Sequence, residues 1–230
     1  MTTFHRLLRC CAALTGLSVC CAVWPADAGP AASQEFQAAM AKAPDLQRGR
    51  ELFATCAACH NADGSGAADG SVPAIAGQYR DVIIKQLTDF RADQRWNVRM
   101  EKVLYQRHLT ESADFADLAA FASQLPRRAT RNVGDGSALA AGTSIYFRSC
   151  SACHGALGEG NASRLTPRLG GQHYGYLLRQ IRFAGDRRRP NMAEAHEQRV
   201  RKLSMDEISG VADYLSRLDP GAGRTPPYRQ

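Results

Sequence analysis

The chain has 230 residues, 29 of them basic and 22 acidic, for a formal net charge of +7. That length fits one large domain or two small ones. The modest basic excess comes without any nucleic-acid recognition motif beside its arginine runs, so nucleic acid is excluded as a partner.

The N-terminus reads as an export signal covering residues 1–28. His5, Arg6 and Arg9 make a basic start. The uncharged, mostly apolar stretch Cys10 to Trp24 is 15 residues long, too short for a comfortable membrane span. Ala26-Asp27-Ala28 then offers small residues around a cleavage point before Gly29. Two competing readings are a retained N-terminal anchor and a lipid-modified Cys20, the latter disfavoured by bulky Val19 just before it. Residues 29–44, rich in alanine with Pro30 and Pro44, form a loose or partly helical lead-in.

A first domain is expected over 45–125. Asp45 is placed to cap a helix in which Leu46, Gly49, Leu52 and Phe53 recur at helical spacing up to Cys56. Cys56-Ala57-Ala58-Cys59-His60 follows, then the glycine-rich turn 63–66 and Val72-Pro73-Ala74-Ile75-Ala76-Gly77-Gln78-Tyr79. Val82, Ile83, Gln86, Leu87 and Phe90 predict a helix, succeeded by Arg91, Arg95 and Arg99, and then by Met100. A final helix is expected from Thr110, with Phe115, Leu118, Phe121, Ala122 and Leu125 on one face and Pro126 as its stop.

Residues 126–136 read as a linker, and the whole pattern then repeats over 137–219. The pentapeptide returns as Cys150-Ser151-Ala152-Cys153-His154, displaced by 94 residues. Phe147 stands three residues before Cys150, as Phe53 does before Cys56, and both are expected in the core. Thr166-Pro167-Arg168-Leu169-Gly170-Gly171-Gln172-His173 matches the first proline segment, each proline lying 13 residues after its histidine. Tyr176, Leu177, Gln180, Ile181 and Phe183 mark the matching helix, and Arg187, Arg188 and Arg189 lead into Met192. The last helix starts at Ser204, with Glu207 completing a capping box. Residues 220–230 read as an unstructured tail. No strand pattern occurs, so the fold class is mostly α.

Cys-x-x-Cys-His is the attachment signature of a c-type haem. Two thiols add to the haem vinyl groups, and the adjacent histidine is held under the ring, where its imidazole ligates the iron. Two copies imply two covalently attached haems. A zinc site would use the cysteine pairs but leaves each following histidine unexplained and predicts one composite site. A thioredoxin-like motif needs a preceding strand, and helix precedes both pairs. Of eight cysteines, four lie in the signal and Cys56, Cys59, Cys150 and Cys153 are consumed by haem, so no structural disulfide is expected. The carbonyls of Pro73 and Pro167 are candidates to accept the second N–H of His60 and His154, which fixes the imidazole and raises its basicity. The alternative is an ordinary turn. The arginines near a haem edge suit pairing with propionates or an acidic protein partner.

The sixth iron ligand has to be chosen. Met100 lies 40 residues after His60 and Met192 lies 38 after His154, each following an arginine run, so the repeat selects these two over Met205. His108 is an alternative in the first half, and His173 or His196 in the second. None of these histidines matches across the repeat, so each is expected at the surface. Methionine ligation favours ferrous iron and leaves no open position for catalysis.

The two pentapeptides, the paired Pro-x-x-x-Gly-Gln segments, the methionines after an arginine stretch and the Leu-Thr or Leu-Ser starts of the final helices together resemble the dihaem cytochrome c4 family over about residues 45–219. That resemblance implies two tandem class I cytochrome c domains in contact through their propionate edges. It makes Cys56, Cys59, Cys150 and Cys153 the covalent haem residues, and His60, Met100, His154 and Met192 the axial ligands. It implies a periplasmic electron carrier rather than an enzyme, with redox proteins as donor and acceptor, including a terminal oxidase. The alternatives are a cytochrome subunit of a periplasmic dehydrogenase and a haem peroxidase or sulfur-compound oxidase. One departure is the charged pair Glu101-Lys102 directly after Met100.

Overall fold

The computed structural model describes residues 30–106, 109 and 111–221; within them lie ten α-helices, one short 3-10 turn and a single isolated bridge pair, Asn161 with Thr166. The proposed signal, His108, Thr110 and most of the tail fall outside these residues. The first half contains α1 (Pro30–Met40), α2 (Leu46–His60), α3 (Arg80–Arg91), α4 (Val98–Gln106) and α5 (Ser112–Gln124). The second contains α6 (Leu139–Ser149), α7 (Ser151–His154), α8 (Tyr174–Gly185), α9 (Glu194–Val200) and α10 (Met205–Arg217).

Local chemistry sets the helix starts. The Asp45 carboxylate accepts the N–H groups of Gln47 and Arg48 at 2.9 and 3.1 Å and starts α2. Ser204 and Glu207 form the expected capping box on α10. The equivalent cap of α5 is Glu111 with Asp114, so the helix begins after Glu111 rather than at Thr110. A carboxylate there does what a hydroxyl does, accepting an otherwise unpaired N–H of the first turn.

In each half the haem-motif helix crosses the final helix where side chains are smallest. A Cβ on Gly49 would stand 2.2 Å from the Asp117 carbonyl oxygen. In the second half Gly142 meets Gly210, and a Cβ on Gly142 would stand 2.1 Å from the Gly210 oxygen. The final helix also carries a buried aspartate that ties down the chain entering the first. Asp117 accepts the Asp45 N–H at 2.8 Å, and Asp213 accepts those of Gly134 and Gly136 at 3.0 and 2.9 Å while pairing with Arg217. Around these crossings Phe53, Ile84, Leu87, Phe90, Phe115 and Leu118 close one core, and Ile145, Tyr146, Leu177, Val211 and Leu215 the other.

Two details depart from the sequence reading. The lead-in is a full helix: α1 packs on α3 and α5, Ala39 is completely buried, and Glu35 pairs with Arg91. Burial of an apolar face holds it there although its alanines show no strong periodicity. Phe147 is 51% exposed, and Tyr146 takes the core position instead. Tyr146 can do so because its hydroxyl donates to the Gly155 carbonyl at 2.6 Å, while Phe147 packs outside against Tyr146 and Tyr214. The linker, residues 126–136, packs on the second half: Arg127 donates to the carbonyls of Gly170 and Pro220, and Asn132 accepts the N–H groups of Tyr174 and Gly175.

Candidate functional site

Each Cys-x-x-Cys-His lies at the end of a helix. α2 runs unbroken through Cys56 and Cys59 to His60, whereas α6 stops before Cys150 and the short α7 carries Cys153 and His154. In both halves the first cysteine is half-buried against the core and the second is exposed. Burial pushes the Cys56 thiol up to about 11 and raises that of Cys150 as well. A dithiol redox pair needs depressed thiols, so that alternative is disfavoured. Among the described residues no three His, Cys, Asp or Glu side chains group as a metal site.

Two loops orient the histidines. His60 Nδ1 lies 2.9 Å from the Pro73 carbonyl and His154 Nδ1 lies 3.4 Å from that of Pro167. A carbonyl only accepts, so Nδ1 carries the proton and Nε2 is left with its lone pair. Burial lowers both imidazoles' pKa, against the smaller opposing pull of the proline carbonyls, which favours the neutral form that metal ligation requires. The glycines after each histidine let the loops close: a Cβ on Gly66 would stand 2.5 Å from the Pro73 oxygen, and one on Gly160 the same distance from that of Pro167.

The two sites are joined by reciprocal hydrogen bonds. Gln172 receives the Ala74 N–H at 3.0 Å and donates to the Ala74 carbonyl at 2.7 Å. Gln78 receives the Arg168 N–H and donates to the Arg168 carbonyl, both at 3.0 Å. Each glutamine thus clamps the residue following the other half's proline. His173, expected at the surface, is buried in the same junction, where its Nε2 donates to the Ser65 carbonyl at 2.8 Å and its Nδ1 meets Thr130 Oγ1. The sequence signal for this was present in the repeated Gly-Gln pair, but a single chain does not say which half each glutamine serves.

Of the arginine runs, Arg95 and Arg189 turn into the junction. Arg95 donates to Gln86, Tyr176 and Gln180, and Arg189 shares Gln86. Burial first, then Arg95, pushes the Arg189 guanidinium down to about 9, and its Nε is buried without a partner. Neither arginine has a carboxylate ion-pair partner among the described residues. Two half-buried cations with an orphaned donor fit an anion, and haem propionates are anions of the right kind. Arg91 is used differently, on Glu35 and over the Phe115 ring, and Arg187 and Arg188 stay outside on Glu197 and Phe183.

The two methionines are placed differently. Met100, on α4, packs against the first core together with Cys56. Met192 is half-buried in the turn before α9, its N–H on the Arg189 carbonyl, and does not join the side chains packed on the second core. Its neighbour Asn191 is buried, held from α3 by Asp89 and Lys85. His196 is not at the surface as expected. It is half-buried with its ring centre 6.2 Å from that of His154 and its Nδ1 buried without a partner. Burial first, then the neighbouring His154, lowers its pKa to about 4.

Thiols and oriented histidines present twice, with half-buried cations shared between the two repeats, define a tandem c-type haem protein. Residues 46–126 and 139–219 each match the cytochrome c family model, and the chain belongs to the cytochrome c family in its dihaem cytochrome c4 form. Cytochrome c4 of Azotobacter vinelandii is 32% identical over 193 residues, covering 76% of this chain and 90% of that one. The thiosulfate dehydrogenase electron acceptor of Stutzerimonas stutzeri is 34% identical over 208 residues, covering 85% and 94%. The crystal structure of reduced recombinant cytochrome c4 from Pseudomonas stutzeri superposes with a TM-score of 0.67 at 28% identity, over 76% of this chain and all of that one. The chain is therefore an electron-carrying cytochrome of the c4 kind with two covalently attached haem c groups.

Proposed function

We propose that this protein is exported to the periplasm and passes single electrons between respiratory-chain proteins, toward a terminal oxidase. The observation that carries this reading is the reciprocal clamp of Gln78 and Gln172, which ties together the two segments that orient His60 and His154. Two one-electron sites held in a fixed relation suit relay through the molecule better than two sites on a flexible tether. Each haem, when bound, supplies a ferric/ferrous couple. The chain's own residues do the rest. Cys56, Cys59, Cys150 and Cys153 would hold the rings, His60 and His154, with their Nδ1 protons on the Pro73 and Pro167 carbonyls, would offer Nε2 to the irons, and Met100 would offer its sulfur in the first half. Arg95 and Arg189 neutralise charge at the junction. No described helix is long and apolar enough to cross a membrane.

The donor is the finer question. The 34% identity to a thiosulfate dehydrogenase electron acceptor, over 85% of this chain, favours a second reading in which a periplasmic dehydrogenase hands its electrons to this protein. The test is to mix the oxidised protein with a thiosulfate-oxidising dehydrogenase and thiosulfate, or with a quinol-oxidising complex, and follow haem reduction and then reoxidation by a terminal oxidase. Reduction by either donor, followed by oxidase turnover, is expected. Oxidation of thiosulfate by this chain alone, or no exchange with any partner, overturns the carrier reading.

A further inference from the structure

We propose that His196, not Met192, is the sixth ligand of the second haem iron, which makes that haem bis-histidine while the first keeps His60 and Met100. The inference rests on the two-haem reading and goes beyond it to the ligand set.

Geometry is the first argument. Two imidazoles on opposite sides of one metal, each with a metal–nitrogen bond of about 2 Å, hold their ring centres about 6 Å apart. His154 and His196 stand at 6.2 Å, with ring planes 69° apart. His154 has its Nδ1 on the Pro167 carbonyl, so Nε2 is the nitrogen left to bind. His196 has a buried ring nitrogen with no hydrogen-bond partner, a state that is expensive unless something absent from the protein chain completes it. His196 shares the inner face of α9 with Val200, four residues on, which is buried. Glu197, next to it, turns outward to Arg187 and Arg201.

The second argument is the asymmetry between halves. Met100 packs on the core that holds Cys56, and Met192 has no such place on the core that holds Cys150. The backbone at Met192 is instead fixed toward the domain junction by Asn191, through Asp89 and Lys85. Measured forward from the histidines, Met100 and Met192 correspond. Measured back from the shared leucines Leu109 and Leu203, Met100 lies nine residues before, Met192 eleven and His196 seven. The repeat by itself therefore does not select Met192.

The consequence is a second haem that prefers the ferric state more than the first, because imidazole lacks the preference of thioether sulfur for ferrous iron. The experiment uses the purified full-length holoprotein. Its ferric absorption in the far red, where methionine-ligated haem has a weak sulfur-to-iron band, is measured per haem, alongside low-temperature electron spin resonance and a redox titration. Expected are a methionine band at half the intensity of two such haems and two low-spin signals. H196A is expected to bind about one equivalent of carbon monoxide per chain when reduced, while M192L leaves spectrum and potentials unchanged. H196M should raise the lower potential and bring the far-red band toward full intensity. A full-intensity band in the unsubstituted protein, or carbon monoxide binding opened by M192L and not by H196A, overturns the assignment. The unsubstituted spectrum decides the matter even where a variant fails to fold. A pyridine haemochrome count below two haems per chain would instead overturn the two-haem reading, and this assignment with it.

Discussion

Gln78 and Gln172 are a reciprocal pair: each makes two hydrogen bonds to the backbone beside the proline that orients the other half's histidine. Removing both side chains, which also accept the local Tyr79 and His173 N–H groups, deletes four hydrogen bonds that cross a junction also held by His173 and Arg127. At about 1 kcal/mol each, the Gln78→Ala/Gln172→Ala variant loses about 4 kcal/mol. Thermal unfolding followed by circular dichroism should show a midpoint lower by roughly 10 °C. An unchanged midpoint would mean the clamp contributes nothing to holding the halves together.

The glycine crossing of α6 and α10 tolerates no side chain. A Cβ on Gly142 would sit 2.1 Å from a backbone oxygen, and neither helix has a flexible group there to yield. Gly142→Val should push α6 away from α10 and destabilise the second half by about 3 kcal/mol or more. Because α6 leads directly into Cys150, the expected outcome is loss of the second haem with the first retained. Haem-to-protein stoichiometry of the exported variant checks it.

Asp213 and Ser204 both serve α10, with unequal weight. Ser204→Ala removes one exposed cap and should cost about 1 kcal/mol. Asp213→Ala leaves the N–H groups of Gly134 and Gly136 and the Arg217 Nε without their acceptor, in a place where Asp213 is buried, and should cost about 3 kcal/mol. Denaturant titrations of the two variants should rank in that order. Equal midpoints would show that water replaces the Asp213 contacts.

Gly66 lets the chain bring the Pro73 carbonyl onto His60 Nδ1. Its φ of +75° is one that other residues rarely adopt, and a Cβ there would strike that same carbonyl. Gly66→Ala should lengthen the hydrogen bond, make the imidazole a weaker base and so favour ferrous iron. The potential of the first haem is expected to rise relative to the second in a redox titration, whereas Pro73→Ala, which keeps the carbonyl, should move it much less.

Arg189 is a half-buried cation that shares Gln86 with Arg95. A positive charge in a site of low polarity favours the reduced haem, which carries one positive charge fewer than the oxidised one. Arg189→Gln should therefore lower at least one reduction potential. No change in either potential would place the guanidinium away from both haems.

The haem motifs were readable from sequence because covalent attachment demands fixed residues at fixed spacing, and Cys56, Cys59 and His60 recur as Cys150, Cys153 and His154. The helices were readable too, since Asp45 and Ser204 cap by local chemistry and Pro126 stops a helix wherever it occurs. The Pro73 and Pro167 carbonyls lie 2.9 and 3.4 Å from the Nδ1 atoms of His60 and His154. Other features depend on contacts between residues far apart in the chain. α1 is held by burial on α3 and α5, Tyr146 displaces Phe147 from the core because its hydroxyl reaches Gly155, and His173 and His196 leave the surface because the elements carrying them turn inward. Of the arginines, only the packing of the two halves decides that Arg95 and Arg189 face the junction. A repeat in sequence counts residues along the chain, but a metal ligand is chosen by which side chain arrives opposite the histidine, and that is settled by the path of the turn between Arg189 and α9.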